Sequence, residues 1–205
     1  MAKRKMIFTF EEGDGKNKML LGGKGANLCE MTQIGLNVPP GFVITTDACL
    51  AFLENNRLPD GVWDDVSKHM ADLETKTGKG FGSADNPLLV SVRSGSAMSM
   101  PGMMDTILNL GLNETSLQGL IKQTGNERFA WDAYRRFIQL FAKIALNIPD
   151  EPFDEKMKEV KSAYHARQDV DLKADQLKEL AEAFLAIVHR HSGKPFPQDP
   201  YEQLD

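Results

Sequence analysis

The sequence predicts an α+β fold, with a mixed α/β subdomain over residues 1–112 followed by an all-α subdomain over 113–194. Three observations predict it. Short runs of β-branched and aromatic residues, bounded by glycine and proline, fall in the first part. Apolar residues at helical spacing fill the second. Asparagine and glycine stand where the helices of that second part should start and stop.

In chain order, Gly25 to Gln33 reads as a helix, and Pro39-Pro40-Gly41 leads into a strand, Phe42-Val43-Ile44-Thr45. Asp47 to Glu54 is a second helix, with Thr45 and Thr46 as N-cap candidates. Val62, Trp63, Val66, Met70 and Leu73 mark an amphipathic helix that stops before Gly78, and Lys79 to Ser83 reads as a loop. Leu88 to Arg93 is expected as a buried strand and Thr106 to Leu110 as an alternating one. Asn113 can cap a helix ending near Gly125. A long helix follows, with Phe129, Ala133, Phe137, Leu140, Phe141 and Ile144 on one buried face, ended by Pro149 and Pro152. A more polar helix runs through Met157, Val160 and Tyr164, and the last through Leu177, Leu180, Phe184, Leu185 and Val188 to Gly193. Pro195, Pro197 and Pro200 predict that 195–205 is an extended linker, with Tyr201 to Asp205 opening a further element.

Composition excludes several classes. With 41% hydrophobic and 26% charged residues in 205, the chain can fold on a core of its own. The longest charge-free stretch, Met31 to Thr46, contains Gly35, Pro39 and Pro40 and is no membrane span. The apolar run Met6 to Phe10 is too short for a secretion signal. Cys29 and Cys49 form no CxxC pair, so both are expected as reduced core thiols in a cytoplasm. A net charge of -5 with no basic face argues against nucleic acid as a partner.

Two segments carry candidate chemistry. In Leu21-Gly22-Gly23-Lys24-Gly25-Ala26, glycines bracket a lysine just before a helix. Backbone N–H groups there can approach an anion, and the helix start and the ammonium add positive potential. The spacing is not that of a Walker A loop: Lys18 occupies the place of its first glycine, and Gly25 stands where Ser or Thr belongs. A plain glycine turn with a solvated lysine is the alternative reading. The second segment runs from Ser91 to Asp105. A strand delivers Arg93, suited to bidentate phosphate contact, into a loop whose Ser94, Gly95, Ser96, Ser99 and Gly102 can wrap a polyphosphate. Its four methionines, at 98, 100, 103 and 104, are expected as gap fillers.

Other residues carry less. Arg135 and Arg136 lie about 100° apart on one helix, so at most one faces inward. His189 and His191 are poorly spaced for metal on a helix face, His69 and His165 have no partner that sequence can name, and no carboxylate pair makes a metal motif.

Leu20 to Leu28, Val38 to Thr46, Asn126 to Phe137 and above all SVRSGSAMSMPGMMDTILNLGL, from Ser91 to Leu112, resemble the N-terminus of the pyruvate, phosphate dikinase family. The resemblance implies the first lobe of an ATP-grasp-type nucleotide domain. Its full-length members interconvert ATP, phosphate and pyruvate with AMP, pyrophosphate and phosphoenolpyruvate in a homo-oligomer. By motif, Gly22, Gly23, Lys24, Gly25 and Arg93 correspond to nucleotide contacts, with Lys24 and Arg93 on the transferring phosphates and Arg135 as a further one. Ser96-Ala97-Met98 stands where this family often carries an arginine. The ligands of Mg²⁺ are expected outside this chain, as are the remaining domains. The chain is therefore expected to be catalytically incomplete alone. A stand-alone nucleotide- or partner-binding module and a fragment of a phosphoenolpyruvate synthase remain as alternatives.

Overall fold

In the computed structural model the described residues are 4–95 and 105–205. The chain forms a mixed α/β arrangement, mostly helix with small two-stranded sheets. It divides into two compact units, Met1–Gly78 with Arg93–Met104, and Lys79–Val92 with Asp105–Asp205.

In the first unit β1 (Ile7–Thr9) runs antiparallel to β2 (Phe42–Ile44), with Phe8 opposite Val43. Three helices accompany them: α1 (Lys18–Gln33), α2 (Thr46–Asn55) and α3 (Val62–Thr77). Leu21, Ala26 and Cys29 of α1 form a core with Phe8, Phe10 and Val43. Gly25 makes the close approach possible, because a Cβ there would lie 2.8 Å from Val43 Cγ1. On α3 the predicted stripe Val62, Val66, Met70, Leu73 is buried, and Gly78 at φ 65° ends the helix. Thr45 caps α2, but Ala48 is the one buried residue of that helix. Cys49 is exposed, which corrects its placement in the core. Its helix touches α1 over one narrow edge, so the other apolar positions face outward.

The second unit is built around α5 (Glu127–Ala145) and α7 (Ala174–Ser192), which pack along each other. The helices α4 (Glu114–Thr124) and α6 (Glu151–Ala163) flank them. Phe137, Ile138, Phe153, Leu177, Leu180 and Phe184 are fully buried, with the Phe153 and Phe184 rings 5.0 Å apart edge to face. Two short pairs follow, β3 (Gly80–Phe81) parallel to β4 (Pro87–Leu88), and β5 (Val90–Arg93), which belongs to this unit up to Val92, beside β6 (Thr106–Leu110).

Several expectations change. The units do not divide at residue 112: Ile107, Leu110 and Leu112 belong to the helical core, so β6 packs with α5. Asn109 stands at φ 60°, which resets the alternation so that Ile107 and Leu110, three apart, both point inward. Three of the four residues of β5, Ser91 to Arg93, are exposed where a buried strand was expected. Residues 79–83 include a strand rather than a loop alone, since Gly80 and Phe81 pair with Pro87 and Leu88. Phe129 is 48% exposed, because the inner stripe of α5 runs through Ala130, Ala133, Tyr134, Phe137, Ile138 and Phe141. Pro152 lies in the first turn of α6 and opens that helix instead of closing the one before.

The tail is not an extended linker. Phe196 is buried edge to face against Phe137 and Phe141, at 5.7 and 5.3 Å. The final helix, α8 (Pro200–Leu204), places Gln203 so that its side chain accepts from Gly111 N and donates to Leu112 O and Pro197 O, each at 2.9 Å. Apolar burial and satisfied carboxamide bonds hold 195–205 against its own unit. Among the described residues, no helix is long and apolar enough to cross a membrane.

Candidate functional site

The glycine–lysine segment is a broken helix. Asn17 caps its first turn, accepting from Leu20 N at 3.1 Å. Gly22 then takes φ 68°, ψ 162°, a region that a side chain excludes, and the helix restarts at Gly23. The break leaves the first amides of the restarted segment without carbonyls one turn behind them, and its cap position is a glycine with no side chain to supply an acceptor. Lys24 is half-buried at the second position of this start, and among the described residues it makes no ion pair. Amide donors, the positive end of a helix and a lysine thus share one turn, an arrangement that favours an anion.

The helix is fixed from both sides. Gly13 lies so close that a Cβ would reach 2.5 Å from Cys29 Sγ and 2.9 Å from Leu21 Cδ1. The carbonyl of Gly13 accepts from the Gln33 carboxamide at 2.6 Å, and the same nitrogen reaches Phe10 O and Glu11 O at 3.3 Å. Burial pushes the Cys29 thiol above its usual range, so it is an inert packing group. On the other side, the Thr46 hydroxyl donates to Met19 O at 2.6 Å and also lies 3.2 Å from Leu20 O.

Arg93 ends β5 with its side chain exposed, and Ser94 and Gly95 continue from it. Arg93 falls in the same unit as Lys24. Ser96, Ser99, Gly102 and the methionines at 98, 100, 103 and 104 lie outside the described residues.

Arg135, expected as a further phosphate contact, belongs to the second unit. Its side chain is 5% exposed and already engaged: Nε donates to Asp132 at 2.8 Å, and Nη2 lies 2.6 Å from Asp132 and 2.8 Å from Asp169. Arg136 is exposed and pairs with the second oxygen of Asp132. Lys161 reaches the second oxygen of Asp169 at 3.0 Å, and Arg128 donates to the carbonyls of Asp169 and Leu172, both at 2.8 Å. Partial burial raises the Asp169 carboxyl, but the hydrogen bond from Lys161 and the Arg135 charge outweigh it, and its pKa ends below the usual carboxylate value. The network pins the turn between α6 and α7 to α5. Asp169 escapes a sequence reading because it lies far along the chain from the arginine it holds.

The remaining candidates have local roles. His69 Nδ1 lies 2.7 Å from Asp65 O, and its ring packs on Phe42. His165 occupies the left-handed residue after α6, while His189 and His191 are exposed in the last turn of α7. Among the described residues, no three His, Cys, Asp or Glu side chains cluster as a metal site.

Comparison with known proteins adds a family to this geometry. The family described as pyruvate phosphate dikinase, AMP/ATP-binding domain, matches residues 18–64, a span that contains the broken helix and Thr46. A pyruvate, phosphate dikinase of Entamoeba histolytica is 56% identical over 200 residues, covering 97% of this chain and 23% of that protein. That of Clostridium symbiosum is 46% identical over 202 residues, with 98% and 23% covered. The chloroplastic enzyme of Flaveria trinervia is 45% identical over 207 residues, with 98% and 22% covered. The chain spans less than a quarter of the length of these relatives. With its glycine–lysine turn inside the matched segment and 97–98% of its length aligned, the chain is homologous to the N-terminal AMP/ATP-binding region of the pyruvate, phosphate dikinases.

Proposed function

We propose that this chain is the phosphate-gripping part of an ATP-grasp-type nucleotide domain, acting within a full-length dikinase that converts ATP, phosphate and pyruvate to AMP, pyrophosphate and phosphoenolpyruvate. The observation that carries this is the break at Gly22, which starts an uncapped helix with Lys24 in its first turn. On this reading the amides of Gly23, Lys24 and Gly25 and the Lys24 ammonium meet phosphate oxygens, and Arg93 supplies a second charge, with Ser94, Gly95, Ser96, Ser99 and Gly102 around it. Their contribution is electrostatic: fixed donors aimed at charge that grows as a phosphoryl group transfers. Arg135 serves differently in this proposal, by ordering the helical unit, because its guanidinium is held by two carboxylates.

Magnesium enters as the ion that accompanies ATP. On this reading its protein ligands belong to the rest of the full-length protein, and nothing here is routed through it. For the same reason, and because one exposed face leaves phosphates in a high dielectric, the chain alone is expected to bind ATP weakly and to turn nothing over.

Two substitutions in the full-length enzyme test the reading. Lys24→Ala and Arg93→Ala should each slow AMP formation from ATP by tens- to several-hundred-fold, about 2–4 kcal/mol of transition-state stabilisation. Phosphoryl transfer to pyruvate from a pre-phosphorylated enzyme should be spared. Equal loss in both half-reactions would sink the assignment, as would AMP and pyrophosphate production by this chain free of full-length enzyme.

A further inference from the structure

The broken helix has a counterpart in α2. In an unbroken α-helix the N–H groups of Gly23 and Lys24 donate to the carbonyls of Met19 and Leu20. A residue at φ 68°, ψ 162° cannot carry that ladder through. Those same two carbonyls face the Thr46 hydroxyl, at 2.6 Å for Met19 and 3.2 Å for Leu20. The hydroxyl is not required by its own helix, because Thr45 Oγ1 takes the capping bond from Ala48 N at 3.4 Å. The break at Gly22 therefore interrupts the ladder between these donors and acceptors, and on the acceptor side the Thr46 hydroxyl takes the place of the amides.

We propose that Thr46 is a positioning residue for the phosphate-binding turn. By holding the carbonyls of Met19 and Leu20, it competes with the helical ladder, keeps Gly22 in its extended left-handed conformation and leaves the amides of Gly23 and Lys24 to an anionic ligand. The inference rests on the reading of Lys24 as a phosphate contact for its functional half, but its structural half stands without any nucleotide.

Amide hydrogen exchange on this chain, without ATP, reads the structural half. Thr46→Val removes the hydroxyl at nearly constant shape, and Gly22 is free to relax to helical angles. The Gly23 and Lys24 amides should then be recaptured by Met19 and Leu20 and exchange at least tenfold more slowly, while Thr46→Ser keeps the wild-type rates. A merely structural role predicts the opposite sign, faster exchange along α1. Faster or unchanged exchange at these two amides overturns the proposal, and so does a Thr46→Val chain that fails to fold, since the hydroxyl would then serve the whole unit.

Steady-state AMP formation by the full-length enzyme reads the functional half. Thr46→Val should lower kcat/KM for ATP about tenfold, Thr46→Ser less than twofold, and Thr46→Val added to Lys24→Ala less than threefold. A full tenfold loss on the Lys24→Ala background, or a Ser variant as impaired as the Val variant, overturns the positioning role. A Lys24→Ala enzyme with unchanged kcat/KM for ATP instead overturns the reading of Lys24 itself, and leaves the exchange result at Thr46 to stand or fall separately.

Discussion

Gly22 is the residue on which the site turns. Its φ of 68° with ψ of 162° lies in a region open almost only to glycine, where any side chain costs roughly 1–3 kcal/mol. Gly22→Ala should lower the urea midpoint of the first unit by an amount corresponding to that range, and ATP affinity of the full-length enzyme should fall with it as the turn straightens. An unchanged midpoint, followed by fluorescence of Trp63 in the same unit, would show that the break tolerates a side chain. The glycine–lysine pattern was legible in the sequence because its meaning is local: glycine permits the turn and lysine supplies the charge. Thr46 was legible only as a cap candidate. Its actual acceptors, Met19 and Leu20, lie in another helix, and no local pattern links a threonine to carbonyls so far back in the chain.

Among elements, the turn at Asp169 shows how charge joins helices that sequence reads one at a time. Arg135→Leu should cost about 2 kcal/mol, below the roughly 3–5 that breaking a fully buried pair costs, because Asp169 is 35% exposed and Asp132 and Asp169 keep Arg136 and Lys161. Denaturant titration of the second unit, followed by fluorescence of Trp131, measures it. The Asp169 carboxyl also carries a pH dependence. Its pKa is lowered in the folded state, so the stabilisation is present above the ordinary carboxylate value, near pH 4, and is lost as pH falls through the lower folded value. In Asp169→Asn the acid limb of stability should flatten in that window. An acid limb identical to wild type would assign the loss to other carboxylates. The helix ends themselves were readable, because caps are local: Thr45, Asn113, Gly78, Gly125 and Gly193 all stand where the sequence put them. The strands β1 and β3 were not, since three and two residues carry too little pattern and pairing alone makes them strands. Phe129 misled because apolar spacing defines a face only when the neighbouring helix covers its full length.

At the scale of the molecule, burial is uneven, and exchange kinetics should show it. The slowest amides are expected in α5 and α7, around Ile138, Phe141, Ala181 and Phe184, where both helices are sealed by aromatic contacts. Those of α2, with Ala48 its one buried residue, should exchange fastest among the long helices. A uniform protection pattern would contradict this gradient. The tail at 195–205 belongs to the protected set, although its prolines read as linker, because Phe196 and Gln203 find partners that lie far back in the chain. The interleaving of the two units has a consequence for the chain as it is made. Residues 1–78 can close soon after they leave the ribosome, but Lys79–Val92 cannot complete its unit then. The Phe81 ring packs edge to face on Tyr201, 5.2 Å away in space. At about 5–20 residues per second, roughly 120 residues of intervening synthesis keep that ring waiting for roughly 6–24 s. Through that interval an apolar segment emerges ahead of its partners and is open to nascent-chain handling before the fold can cover it.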